Sequence, residues 1–246
     1  TTLFRSKDLR WSLTSVVSYQ GSPMGKVALD KETKDAVVQN ANGQSFRTEN
    51  TLSLSKKHRN SRIYLPILLN YYMDKVQTTL HPTDESNDVS MQNLRVALAP
   101  QYEYSHFQYR YVLRLEVPVR MDYIAHRDHM IASSSGSWYF SVCPSMYCNY
   151  KLTSRSVLRT NIFYARTFGD ILDFLKSPVR IDDTSMKMGS GILADNKSLN
   201  ASLHYDYKIP LKMWFFNADI LYNQERSNIL ASQDASNTLV TMSKIY

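Results

Sequence analysis

The residue types best suited to metal binding lie together at His126, Asp128 and His129. Imidazole and carboxylate groups are common ligands of transition metals. Their spacing, however, is not that of a rigid site on one helix or strand, and a third firm ligand is absent. We therefore expect these side chains to belong to a solvated outer loop, with no resident metal.

A group of carboxylates lies in the longest predicted loop. Its members are Asp170, Asp173, Asp182 and Asp183. Ca²⁺ takes about six to eight oxygen ligands, and these acids lack the regular spacing of a calcium loop. The sequence also has no nucleophile elbow, no phosphate-binding glycine loop and no zinc-protease helix. We expect a protein that is not an enzyme and has no cofactor.

The other charged residues follow a period of two, most clearly in the segment Tyr109–Tyr123. Its even positions include Arg110, Arg114, Glu116, Arg120 and Asp122. Its odd positions hold Leu, Val and Met, with tyrosines at both ends. Successive side chains of a strand point to opposite faces, so one face is charged and the other is apolar with aromatic ends. Tilted by about 40°, such a strand crosses about 25–30 Å of hydrocarbon, which is typical of a transmembrane β-barrel.

The same alternation recurs along most of the chain and predicts about ten antiparallel strands. They are Leu9–Gln20, Ser45–Ser55, Ser61–Lys75, Met91–Tyr104, Tyr109–Ile124, Ser137–Lys151, Ser156–Arg166, Ser198–Lys208, Met213–Asn223 and Asn237–Ile245. Short connections alternate with long ones. The short ones are Lys56–Asn60, Ser105–Gln108, Leu152–Arg155 and Ile209–Lys212, and the long ones are Gly21–Gly43, Val76–Ser90, Ala125–Gly136, Thr167–Lys197 and Gln224–Ser236. Outer-membrane barrels have short periplasmic turns and long extracellular loops, so the first strand is predicted to run outward.

Two sets of candidate site residues follow from this alternation. The candidates that face the lumen or a plug are Arg95, Arg110, Arg114, Glu116, Arg120, Asp122, Arg159, Asp206 and Asp219. The candidate lipid-interface aromatics are Trp11, Tyr109, Tyr111, Trp214 and Phe216 near the short turns, and Tyr123, Trp138, Phe140 and Tyr222 near the long loops. Lumen charges meet water, a folded plug or one another, and cross-strand pairing that only stiffens the wall is the simplest role.

The bulk composition agrees with a barrel. The 246 residues include 17 Tyr and 12% aromatic residues, which suits two interfacial belts. No run of about 18 apolar residues occurs, which excludes a transmembrane helix. The net charge of +7 is spread over strand faces and short turns, so nucleic-acid binding is not expected. A soluble β-sandwich is the alternative fold, but strands of about 12 to 16 residues are long against a usual five or six.

Four short motifs carry a family resemblance. They are Asn149-Tyr150-Lys151-Leu152 at a short turn, Gly169-Asp170-Ile171 opening a long loop, Phe215-Phe216-Asn217 on a strand, and Ser227-Asn228-Ile229-Leu230 beyond it. With the strands before them, they resemble TonB-dependent outer-membrane receptors of the Bacteroidota type. The resemblance implies a barrel of about 22 strands with a plug in its lumen. It also implies contact with TonB, outer-membrane lipid and an extracellular small-molecule or oligosaccharide ligand, and energised import of a glycan, an iron chelate or haem.

The extent of the chain is a separate expectation. Thr1 is followed by no signal segment, and the first predicted strand begins close to it. We expect residues 1–246 to be part of an outer-membrane barrel domain, with the plug outside this chain. The alternative is a complete small barrel of a porin-like or structural, adhesive type without a plug.

Overall fold

The computed structural model describes residues 2–5, 9–29, 36–81, 85–106, 110–177, 179–180, 185–236 and 239–245. The strands, in chain order, are β1 (Thr2–Arg5), β2 (Leu9–Leu29), β3 (Ala36–His58), β4 (Ser61–His81), β5 (Glu85–Leu98), β6 (Gln101–His106), β7 (Tyr111–Glu116), β8 (Val119–Asp128), β9 (Ser133–Val142), β10 (Ser145–Lys151), β11 (Ser156–Phe168), β12 (Val179–Arg180), β13 (Ser185–Met188), β14 (Asp195–Ile209), β15 (Trp214–Ser227), β16 (Leu230–Ser236) and β17 (Leu239–Ile245). Two short 3-10 turns, Ile171–Phe174 and Pro210–Lys212, complete the regular structure. Within these ranges, no helix has the length and apolar character to cross a membrane.

Thirteen of the strands form one sheet, which we call the wall. It contains β1 to β11, β14 and β15, and every pairing in it is antiparallel. Neighbours in the wall are mostly neighbours in sequence, as in an up-and-down barrel. The predicted antiparallel strands of a barrel wall are confirmed by this topology.

The strands are longer than predicted, and the long loops are correspondingly shorter. The predicted loop Gly21–Gly43 is largely the upper part of β2 and β3, and Val76–Ser90 is largely β4 and β5. The predicted loop Ala125–Gly136 shrinks to a turn between β8 and β9. The apolar alternation ends before these strands do, because a paired backbone ladder needs no apolar face to form. A pattern of hydrophobicity therefore underestimates strands whose ends lack that alternation.

The last predicted strand, Asn237–Ile245, does not belong to the wall. The structure describes it from Leu239 as β17, which pairs antiparallel with β16 and parallel with β13 in a separate four-stranded sheet. The prediction was wrong because it treated Gln224–Ser236 as a loop, whereas β16 forms there and pairs with β17 as a local hairpin. The prediction also missed β1, which pairs with β2.

Four prolines lie in one row across neighbouring wall strands. Backbone N–H groups of Ala99, Val117, Cys143 and Tyr164 donate to the carbonyls of Pro66, Pro100, Pro118 and Pro144, respectively, at 2.9 to 3.0 Å. Proline has no N–H, so each of these pairs makes one backbone bond instead of two. The register is the same on both sides of the row, so β5–β6, β7–β8 and β9–β10 are each one wall strand interrupted at a proline.

The wall has two faces of opposite character. Glu49, Asn70, Arg95 and Asp122 lie opposite one another in successive strands, and we call their side the polar face. Leu94, Tyr123 and Trp138 form a similar row on the other side, which we call the apolar face. Directly paired residues of an antiparallel sheet share a face, so the registers extend this assignment across the wall strands. At the outer ends of β11 and β14, Arg166 and Asp195 have the register of the apolar face, although Arg166 contacts Tyr139 of the polar face.

The described part of the predicted loop Thr167–Lys197 does not extend into solvent. Its described residues between 169 and 194, which we call the cap segment, fold onto the outer end of the polar face. The buried cluster there contains Ile171, Phe174, Leu175 and Leu193 of the cap segment and Val89, Met91 and Ile124 of the wall. The Asn87 side chain fixes the segment further, because it accepts from Ser177 N at 3.0 Å and donates to Ser177 O at 3.1 Å. Burial of the apolar residues explains why this stretch is ordered.

Candidate functional site

Asp122 is the centre of the ion pairs on the polar face. Its side chain is fully buried, and its two oxygens lie 2.6 Å from Arg95 Nε and 2.9 Å from Arg120 Nε. A buried carboxylate requires such partners, since an unpaired charge in this position is strongly destabilising. Arg95 lies opposite Asp122 on β5, and Arg120 lies on β8, the strand of Asp122 itself. The three side chains therefore join β5 and β8.

Two further groups of charges lie on the same face nearer the short turns. Arg114 pairs with Glu103 at 3.0 Å, and its guanidinium lies 6.0 Å from the ring of Tyr147. Arg159 donates to Asp206 at 2.7 Å. His204 lies 3.0 Å from Asp206 and contacts Asp219 through its other ring nitrogen. Most of the predicted lumen residues thus meet a partner from a neighbouring strand.

Arg110 and Glu116 behave differently from the other candidates. Arg110 donates to the carbonyls of Lys151 and Leu152 at 3.0 and 2.9 Å, so it holds the turn after β10. Glu116 lies opposite Gln101 and Ser145 in the register. That these charges face a plug stays a prediction.

The candidate aromatics form two bands on the apolar face. Tyr111 and Tyr150 meet edge to face with ring centroids 5.8 Å apart near the short turns, where Trp214 and Phe216 are also exposed. Tyr123 and Trp138 lie 4.9 Å apart near the outer end. Phe140 and Tyr222 are exposed on the same face, and Trp11 of β2 also lies on that face. Tyr109 falls outside the described residues.

The acids of the cap segment have structural roles. Asp173 is fully buried and its Oδ2 accepts from Ala194 N at 3.2 Å, while Asp170 accepts from Leu172 N at 3.0 Å and begins the 3-10 turn. A Cβ on Gly169 would collide with the Asp173 carboxylate, so only glycine fits there. Asp182 and Asp183 fall outside the described residues. Among the residues that the structure describes, no cluster of metal-ligand types forms.

His126, Asp128 and His129 do not converge either. His126 stacks on Phe174 of the cap segment with ring centroids 3.9 Å apart. Asp128 accepts from Met130 N and Ile131 N, and Lys176 approaches it at 3.8 Å. The expectation of a loop was wrong, because His126 and Asp128 lie in β8.

An outer cleft of about 340 Å³ opens between the polar face and the cap segment. Its lining consists of Ile124, His126, Ser135, Ser137 and Tyr139 from β8 and β9, Phe174, Gly191, Ile192 and Leu193 from the cap segment, and Asp195 and Asn228 beside them. Apolar walls with a few polar groups are the usual composition of a small-molecule site. Asp195 is the first residue of β14, beyond the outer aromatic band, and its hydrogen bonds from Arg166 hold its pKa below the usual range. Sequence reasoning missed this cleft, since its residues come from five distant stretches.

A second cleft, of about 290 Å³, lies at the short-turn end of the polar face. Arg10, Lys57, Arg59 and Arg62 line it, together with Glu103. Glu103 is already paired with Arg114, so the cleft has an excess of positive charge and favours anionic groups.

The similarity of this chain to known proteins lies in its structure. No family model matches the sequence, and no curated protein matches it. Among solved structures, the ferric yersiniabactin uptake receptor FyuA from Yersinia pestis superposes with a TM-score of 0.64 at 14% identity, covering 91% of this chain and 34% of that protein. The copper transporter OprC gives a TM-score of 0.64 at 12% identity, covering 97% of this chain and 39% of that protein.

The chain has the fold of TonB-dependent outer-membrane receptor barrels. At these identities the similarity concerns the fold alone, and the Bacteroidota type suggested by the motifs is not part of it. The chain spans 34% and 39% of the two receptors, so the activity, ligand and partners of the whole protein belong to the proposal below.

Proposed function

We propose that this chain is part of the barrel wall of an outer-membrane receptor that imports a scarce nutrient by TonB-dependent, energised uptake. The single observation that supports this most is the two-faced wall: an apolar face with two aromatic bands, and a polar face joined by ion pairs. Lipid on one side and a polar lumen on the other account for both faces. The protein acts as a receptor in this proposal, and has no catalytic role.

The proposed ligand is a chelated metal or another small nutrient. FyuA is a receptor for ferric yersiniabactin and OprC is a copper transporter, which favours a metal complex over a glycan. The outer cleft is the proposed entry site, because it opens at the long-loop end and mixes aromatic, amide and carboxylate groups. Arg114, Glu116 and Arg120 then face the plug that such a receptor holds in its lumen.

The rival function is a complete small porin-like barrel. One observation weighs against it: within the described residues β15 pairs only with β14, and it is exposed along its whole length. Hydrocarbon does not tolerate an unpaired strand edge, so a wall that ends at β15 requires further strands to close it. This supports the larger receptor barrel.

Planar-bilayer recording of the purified full-length protein tests the proposal. A plugged receptor is expected to show almost no steady conductance until the plug is removed. Uptake by cells is expected to stop when TonB is deleted or the proton gradient is collapsed. Steady conductance from the intact protein, with uptake that does not depend on TonB, would establish the porin instead.

A further inference from the structure

Within the described residues, the backbone pairing of the wall is interrupted at one place in its outer half. β10 pairs with β11 up to Ser145 opposite Phe163, and one more backbone bond runs from Tyr164 N to Pro144 O. Above that bond, β9 pairs only with β8 and β11 pairs only with β14. We call the interval between residues 139–143 of the β9 side and 165–168 of β11 the seam. All residues on both sides of it belong to the described range 110–177.

Two arginine side chains occupy hydrogen-bond acceptors that a continued ladder would use. The register of β10 and β11, extended upward, would join Val142 to Arg166 and Phe140 to Phe168. Instead, Arg120 Nη2 donates to Arg166 O, and Arg166 Nη1 donates to Phe140 O at 2.8 Å. Side-chain bonds therefore hold the seam closed where backbone bonds hold the rest of the wall.

Arg166 also connects the seam to the start of β14. Its Nε and Nη2 each donate to Asp195 at 2.8 Å, in a two-pronged pair. Its guanidinium lies 5.0 Å from the ring of Phe168 and 5.8 Å from that of Tyr139, and these rings shield it from water. We call the contacts of Arg166 with Asp195 and Phe140 the latch. A side-chain latch exchanges partners without breaking a backbone ladder, so opening the seam breaks fewer backbone hydrogen bonds than separating a neighbouring strand pair.

The seam lies between the outer aromatic band and the outer cleft. Trp138 and Phe140, on the apolar face of β9, are 56% and 62% exposed at this level. Tyr139 and Asp195, which contact Arg166, also line the outer cleft. Release of the latch therefore joins the lipid side of the wall to the cleft. An open strand edge facing hydrocarbon is costly, so the closed state is the resting state.

We propose that the seam is a lateral port through which the acyl chain of an outer-leaflet amphiphile enters the outer cleft. Ile192, which is 40% exposed, gives the cleft apolar surface for the chain above the buried Ile124, Phe174 and Leu193. Ser135 and Ser137 present hydroxyl groups to a polar head group. The proposal rests on the membrane location proposed above and is independent of coupling to TonB.

Photo-crosslinking tests the port in the full-length protein. Benzoylphenylalanine replaces Ser137, which lines the cleft, and the protein is reconstituted in vesicles of alkyne-tagged phosphatidylethanolamine. The same probe at Val96, on the apolar face and 40% exposed, reports contact with the bilayer itself. With the latch intact we expect strong labelling at Val96 and weak labelling at Ser137. R166Q removes the two-pronged pair with Asp195 and is expected to raise labelling at Ser137 at least about tenfold, since the loss of even one ion-paired hydrogen bond corresponds to that shift.

Two controls isolate the latch. R155Q removes an exposed arginine from the short turn before β11, at the opposite end of the wall from the seam, and is expected to leave labelling at Ser137 unchanged. A disulfide between S141C and T167C, which the extended register places opposite each other, is expected to abolish labelling in R166Q. Cys143 and Cys148 are replaced by serine in that variant, and reduction of the disulfide restores labelling.

The outcomes separate this proposal from the membrane proposal. If Val96 is labelled but Ser137 stays unlabelled in R166Q, the port is refuted and the membrane wall stands. If the disulfide does not reduce labelling at Ser137, lipid reaches the cleft from above and the port is again refuted. If Val96 itself is unlabelled in vesicles, the wall is not embedded in lipid and both proposals fail.

Discussion

Placing an arginine at Val117 tests the assignment of the two faces most directly. Val117 lies on the apolar face, is 43% exposed, and stands six positions from both Tyr111 and Tyr123. Six residues at about 3.3 Å each, tilted by about 40°, place it about 15 Å from each aromatic band. In the proposed membrane wall, this position corresponds to the mid-plane of a hydrocarbon layer about 30 Å thick.

The cost of the change follows from that depth. An arginine on the lipid face at the mid-plane destabilises a barrel by about 2 to 4 kcal/mol, and less toward the interfaces. Val117→Arg removes little packing, because the valine is already on the surface, so nearly all of the effect comes from placing charge in lipid. Val112→Arg is the matched control, since Val112 has the parity of Arg110 and Arg114 and lies opposite Ser105 and Asn149.

Urea unfolding of the full-length protein in vesicles, followed by tryptophan fluorescence, measures both variants. We expect Val117→Arg to lose about 2 to 4 kcal/mol, and Val112→Arg to lose less than about 1 kcal/mol. Glu116→Gln, next to Val117 on the polar face, is expected to resemble Val112→Arg. Equal losses for the two valine variants, or a greater loss for Val112→Arg, would refute the assignment of the faces.

Three further predictions follow from the same wall. An epitope tag between residues 30 and 35 is expected to bind antibody on intact cells, whereas a tag in Lys56–Asn60 is expected to bind only after permeabilisation; the reverse would invert the topology. Neutralising Arg114 and Arg120 together is expected to loosen the plug with little conductance before or after, and an altered ion selectivity in steady single-channel currents would instead identify a pore. Asp173→Ala leaves Ala194 N without its acceptor and is expected to cost about 1 to 3 kcal/mol locally; limited proteolysis should cut the cap segment sooner while the wall stays resistant, and an unchanged cleavage rate would contradict the role of Asp173.

Period-two alternation was sufficient to predict the wall strands. Arg114 and Leu115 point to opposite sides because successive residues of any extended chain do so, and no distant contact is needed to know it. The single strands predicted across Pro100, Pro118 and Pro144 also agree with the register, since a proline removes one ladder bond without shifting the pairing. The predicted strand boundaries were less accurate, because the outer parts of β2 and β3 lie beyond the apolar pattern.

The functional site was much less accessible to sequence reasoning. The partners of the buried Asp122 are two residues and 27 residues away in the chain, and nothing local distinguishes that carboxylate from the exposed Asp219. The acids of the cap segment lack the spacing of a calcium loop, but their spacing did not show that Asp173 binds the backbone of its own segment. The outer cleft joins β8 and β9 to residues 174, 191–195 and 228, so it exists only in the folded chain.

The sequence by itself therefore determined which face of each strand is polar, where the aromatic bands lie and which turns are short, because these properties depend on residue type and the two-residue repeat. Only the tertiary structure decided how the cap segment packs on Met91 and Ile124, how β17 leaves the wall, and how Arg120 and Arg166 hold the seam. Those features depend on contacts between residues that are far apart in the chain, and their strength comes from burial and geometry that no local pattern records.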